Sequence, residues 1–116
     1  MKTRGIDATF FLVKDMKRAR AFYDGLFGMK PATEHAEYWA EYELPDGATF
    51  ALGNNPSADW RSSAGLLLGI EDLEDGMKRV KELGGSVTDV EMNGEKCKAH
   101  ECIDTEGNYL YLHERK

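Results

Sequence analysis

The residues of this chain that could do chemistry are three histidines, two cysteines and a scatter of phenols and carboxylates. His35, His100 and His113 show no H-x-H or H-x-x-x-H spacing, so as a group they do not offer the paired imidazoles that grip a divalent ion. A cysteine nucleophile needs a base beside it. His100 and Cys102 are two apart and share a strand face, but the first half of the chain repeats that face as Ala40 and Tyr42, residues expected to pack beneath a helix. A structural role for Cys102 follows. There is no G-x-S-x-G elbow, P-loop or dinucleotide fingerprint, so acyl transfer, phosphoryl transfer and NAD binding have no sequence support. Tyr109, Tyr111 and His113 alternate along one strand and share a face, where a phenol is either a ligand-binding donor or a packing residue.

The elements that must position these residues come in two copies. Val13 to Met29 lies over Ile70 to Ser86, 57 positions on, with Asp15 over Asp72, Met16 over Leu73, Leu26 over Leu83 and Gly28 over Gly85. Each copy predicts a strand end, a helix capped by aspartate and a glycine stop. Met16, Ala19, Phe22, Tyr23 and Leu26 recur at helical spacing, as do Leu73, Met77, Val80 and Leu83, which gives each helix one buried stripe. Past the helices, the runs Tyr38 to Leu44 and Ala48 to Gly53 meet across Pro45-Asp46-Gly47. Their counterparts, Lys98 to Ile103 and Asn108 to His113, meet across Asp104-Thr105-Glu106-Gly107, 60 positions on. A duplicated unit accounts for both halves.

Length and composition fit one domain over 1–116, with a first unit at 5–53, a connector at 54–64 and a second unit at 65–114. The chain opens with a strand over Ile6 to Val13, continues after the first helix with a strand over Lys30 to Glu34, and in the second half has a strand over Ser86 to Val90 and a turn at Met92-Asn93-Gly94-Glu95. Trp60 interrupts the polar connector and is expected to pack back on the domain or on a partner subunit. The net charge of −6 and pI near 5.0 argue against nucleic acid or an anionic membrane as partner. Lys14, Lys17, Arg18 and Arg20 read as a solvated helix face. No apolar stretch suggests a signal peptide or membrane span, and two cysteines are too few for a disulfide scaffold, so free thiols in a reducing cytoplasm are expected.

Val13, Asp15, Ala21, Phe22, Tyr23, Leu26, Phe27 and Gly28, followed by Asp104, Gly107, Asn108 and Glu114, together carry a resemblance that spans nearly the whole chain. In order and repetition they are similar to the vicinal oxygen chelate superfamily of glyoxalases, extradiol dioxygenases and bleomycin-resistance proteins. The resemblance implies an α+β fold of paired βαβββ units, eight mostly antiparallel strands curved around a cavity with two main helices outside. It also implies a divalent metal held by His or Glu from the first and last strands of each unit. Here those positions are Ala8, Ala51, Gly65 and Tyr111, which offer at most one phenol oxygen. A shift of one residue brings in Asp7, but no common shift restores a ligand set, so no metal or other cofactor is expected.

Alternation from those positions gives a cavity face carrying Phe10, Trp39, Glu41, Thr49, Leu67, Tyr109, Tyr111 and His113. Aromatic and aliphatic surface with one or two carboxylates suits an apolar or cationic organic ligand, unless these side chains simply fill the interior. Two functions follow from the resemblance. One is a metal-free protein that binds a small molecule in its cavity. The other is a lyase, isomerase or dioxygenase whose site has moved or uses Glu41 or Glu101 with His113. A curved open sheet on a 13.0 kDa chain also predicts a homodimer that covers free strand edges.

Overall fold

The computed structural model describes residues 1–3, 6–54, 60–62 and 65–115. Gly5, where the first unit was expected to begin, and positions 55–59 and 63–64 of the connector lie outside the described residues. In chain order the elements are β1 (Thr9–Leu12), α1 (Met16–Phe27), β2 (Thr33–His35), β3 (Trp39–Glu43), β4 (Thr49–Gly53), β5 (Leu66–Gly69), α2 (Leu73–Glu82), β6 (Ser86–Asn93), β7 (Cys97–Ile103) and β8 (Tyr109–Arg115). The strands form two unclosed four-stranded sheets, ordered β1-β4-β3-β2 and β5-β8-β7-β6. Each sheet has one parallel pairing, β1 with β4 and β5 with β8, and is otherwise antiparallel. Paired βαβββ units of an α+β fold are therefore what the chain forms.

The helix signals act as their chemistry requires. Asp15 accepts from Arg18 N and Asp72 from Asp75 N, each satisfying one of the donors left over at a helix start. Gly28 sits at φ 65 and ends α1. Strand ends differ from the sequence expectation. β1 begins at Thr9 rather than Ile6, β2 at Thr33 rather than Lys30, and β6 runs on to Asn93, so the second turn closes from Gly94 N to Cys97 O. β6 reaches that length through a register shift between Val87 and Glu91, an irregularity that alternation cannot reveal.

One side of each sheet builds a shared core. Phe11, Tyr42, Phe50 and Leu52 from the first sheet join Cys102, Leu110 and Leu112 from the second, with Phe22, Tyr23, Leu73 and Val80 from the helices between them. The helices touch at Gly25, where an added Cβ would come within 2.5 Å of the Leu83 side chain.

A turn locks the two units together. In the loop between β7 and β8, Glu106 has a fully buried side chain and accepts from Lys14 N at 2.8 Å, Asp15 N at 2.9 Å and Arg18 Nε at 2.6 Å. Asp104 accepts from the Tyr23 hydroxyl at 2.8 Å, and Asn108 donates to the Leu12 carbonyl at 2.9 Å. The Trp60 indole also donates to Leu12 O, and its ring lies over Gly107, where a φ of +92 and the closeness of the indole strain any side chain. Trp60 thus packs back on the domain.

Burial alone would raise the Glu106 pKa, but the Arg18 hydrogen bond and the Asp15 and Lys14 N–H groups outweigh it and hold the carboxyl below its ordinary value. A depressed carboxylate stabilises the fold above its unfolded pKa of about 4.3, and that contribution is lost as pH falls through the lower folded value. Glu106→Gln should therefore destabilise the protein at neutral pH by roughly 1–3 kcal/mol. Its melting temperature should fall less than that of the wild type as pH is lowered from about 5 to 3 in thermal melts, because the amide has no carboxylate to protonate over that range.

Candidate functional site

The alternation that sends Phe11, Phe50 and Tyr42 into the core sends Phe10, Thr49, Trp39 and Glu41 to the other side of the first sheet. In the second sheet, Leu110 and Leu112 go inward and Tyr109, Tyr111, His113, Glu101 and Leu67 go outward. All eight expected lining residues thus lie on the two faces that the core does not use. These faces are open within one chain: Phe10 is 50% exposed, Leu67 58% and Tyr109 39%. Trp39, Glu41, Thr49, Tyr111 and His113 are half-buried.

Each face has an aromatic side chain fixed over a glycine. Trp39 pairs across the hairpin with Gly53, and a Cβ there would meet its ring at 3.0 Å. Its centroid lies 5.3 Å from that of Phe10, and its indole donates to Glu41 Oε2 at 2.7 Å. In the second sheet, the Tyr111 ring lies against Gly65, and its hydroxyl donates to Glu101 Oε2 at 2.7 Å. Thr88 donates to the other Glu101 oxygen at 3.0 Å. Thr88 and Gly53 escaped the sequence reading. Gly53 was recoverable, because the hairpin turn fixes which residue faces Trp39. Thr88 was not, because it sits in the register shift of β6.

The positions to which the resemblance assigns a metal do not fit one. Ala8 precedes β1, Ala51 is buried between the Phe10 and Glu41 positions, Gly65 seats the Tyr111 ring, and the Tyr111 hydroxyl is engaged by Glu101. Three of the four carry no donor atom. Among the described residues no group of three or more His, Cys, Asp or Glu side chains is placed to hold a metal ion. The His113 ring makes no hydrogen bond or ion pair among them, with Glu101 or any other group, and it stands inside β8 opposite Ala99.

Cys102 is buried under α2, and burial, helped by the Glu101 charge, pushes its thiol up to about 11. The neighbouring His100 directs Nε2 at the Thr88 carbonyl, 2.6 Å away. That pair does not resemble an activated thiol and its base. Two clefts lie elsewhere. One, of about 690 Å³, runs along α1 past Lys14, Lys17, Arg20 and Glu37. The other, of about 560 Å³, lies between Leu26, Phe27, Leu44 and β5 and takes in Leu67 alone of the expected lining.

Among the described residues no helix is long and apolar enough to cross a membrane. A family model described as Glyoxalase/Bleomycin resistance protein/Dioxygenase superfamily matches residues 5–110. No curated protein sequence matches. Among solved structures, a glyoxalase-related enzyme from Fulvimarina pelagi superposes with TM-score 0.80 at 14% identity, covering 97% of this chain and 88% of its own. A glyoxalase/bleomycin resistance protein from Catenulispora acidiphila gives 0.71 at 23%, covering 91% and 94%. The fosfomycin resistance protein FosX from Mesorhizobium loti gives 0.71 at 19%, covering 97% and 93%.

Two outcomes check this geometry. The Glu101 hydrogen bond, then burial, then the Glu101 charge raise the Tyr111 pKa, so NMR of ring-labelled tyrosines should show Tyr111 ionising above the ordinary phenol range in wild type and at lower pH in Glu101→Gln. A thiol reagent at neutral pH should label the half-buried Cys97 readily and Cys102 only on unfolding.

Proposed function

The chain belongs to the Glyoxalase/Bleomycin resistance protein/Dioxygenase superfamily, and from that premise we propose that it is a metal-free binding protein for a small organic molecule. The observation that carries this reading is where the large aromatic side chains stand. Trp39, Phe10, Tyr109 and Tyr111 are not core residues; the core is complete on the opposite parity, and these four stand on open sheet faces. Trp39 and Tyr111 are nevertheless held in place by a glycine seat and a carboxylate, as a binding platform requires and a solvated surface does not. Metal-assisted chemistry of the superfamily's kind has no ligand set to work with at Ala8, Ala51, Gly65 and Tyr111.

The site is a composite of two copies. Hydrogen bonds and ring contacts of each open face stay within its own sheet among the described residues, and neither of the two clefts described above is lined by both faces. β1 and β5 are free sheet edges, and β5 reads Leu-Leu-Leu-Gly. Apolar edges and faces of this kind invite pairing, and a homodimer that sets the first sheet of one copy against the second sheet of its partner encloses both faces. Free thiols at Cys97 and Cys102 suit a reducing cytoplasm.

Light scattering at tens of micromolar should therefore give a dimer, and Leu67→Asp, on an exposed edge residue, should shift it toward monomer; a wild-type monomer would contradict the reading. Metal analysis should find no near-stoichiometric Zn, Ni, Fe or Mn, and chelator treatment should leave the melting temperature unchanged. Trp39→Ala should weaken binding of a ligand found by screening by about 2 kcal/mol. It should cost well under the roughly 3–5 kcal/mol of stability that removal of a core aromatic costs.

A further inference from the structure

Taking the open faces as the binding site, we infer that the ligand is an organic cation, an amine, guanidinium or quaternary ammonium carried on an apolar or aromatic body. Glu41 and Glu101 are the same position in the two units, 60 residues apart. Glu41 lies opposite Ala51 on the neighbouring strand and Glu101 opposite Tyr111, which is Ala51's own counterpart. Each unit therefore carries one carboxylate in the middle of its open face, oriented by an aromatic donor: the Trp39 indole for Glu41 and the Tyr111 hydroxyl for Glu101.

Neither carboxylate has a cationic partner among the described residues. Several acids elsewhere do have one, Glu106 with Arg18, Glu34 with Arg20, Asp24 with Lys30 and Glu114 with Lys98. On the first face, β1 to β4 contribute no Lys or Arg at all, and His35 is the one titratable base. On the second face, the candidates are His113 and, at the exposed end of β8, Arg115.

A molecule that covers either face strips water from its carboxylate. A neutral or anionic occupant leaves that charge buried without a counterion, which is strongly unfavourable, while a cation offsets it. In a cavity made from two copies, Glu41 of one and Glu101 of the other line the same space, and their mutual repulsion adds to the demand for positive charge. The rings beside them, Phe10 with Trp39 and Tyr109 with Tyr111, are the surfaces on which a soft organic cation is held and on which a hydrated metal ion is not.

The test uses phenyltrimethylammonium and its uncharged isostere tert-butylbenzene, titrated into the ¹⁵N-labelled dimer while the indole N–H resonance of Trp39 is followed. Trp39→Phe assigns that resonance against Trp60. The expected result is that the cation shifts the Trp39 resonance at least about tenfold more tightly than the isostere. Glu41→Gln and Glu101→Gln should each weaken the cation about tenfold, with the isostere and the melting temperature little changed. Equal binding of the two probes, or Gln variants that bind the cation as wild type does, would overturn the cationic ligand while leaving the faces standing as a site. If neither probe moves Trp39, both this inference and the binding reading on which it rests fail.

Discussion

The buried carboxylate of Glu106 is the contact on which this architecture depends. Each βαβββ unit is amphipathic on one side only, and two four-stranded sheets of this size do not bury enough surface alone to stand as separate domains. The turn carrying Asp104, Glu106 and Asn108 closes the seam by giving partners to the backbone N–H groups ahead of α1, the Arg18 guanidinium, the Tyr23 hydroxyl and the Leu12 carbonyl. A charge at that depth is tolerable because every side of it is satisfied. It also fixes the entry of α1, and with it the placement of the first sheet against the second.

That choice of seam decides where the chemistry can be. Because the helices and the inward sides of both sheets are consumed in one core, the outward sides stand open, and the proposed ligand site is placed there. The chain thus uses carboxylates in two opposed ways. Glu106 is enclosed and fully paired, and its role is structural. Glu41 and Glu101 are held by neutral donors on open faces with no cationic partner among the described residues, and the proposed site rests on that difference in pairing.

Much of this was legible in the sequence because it is local or periodic. The aspartate caps at 15 and 72, the glycine stop at 28 and the alternation in β4 and β8 are each set within a few residues, and duplication made every signal appear twice. For the same reason all eight expected lining residues lie on the sheet sides away from the core. What escaped was long-range or irregular. Glu106 stood in a turn motif and read as turn chemistry; nothing local says that it meets Lys14 and Asp15, more than ninety positions earlier. Thr88 was hidden by the register shift of β6. The separation of the two faces was invisible as well, since alternation fixes which side of a sheet a residue takes but not which sheet its face will oppose.

The division of the site between copies is the central claim, and complementation between two damaged chains tests it. Chains carrying Glu41→Lys have a ruined first face and chains carrying Glu101→Lys a ruined second face, so each alone should fail to bind phenyltrimethylammonium. If the cavity joins the first sheet of one copy to the second sheet of another, unfolding and refolding the two together should restore about a quarter of the wild-type sites, since half the dimers are mixed and one of their two sites is intact. Recovery of no sites, with mixed dimers shown to be present by native mass spectrometry, would mean that both faces of a site come from one chain and would contradict the account.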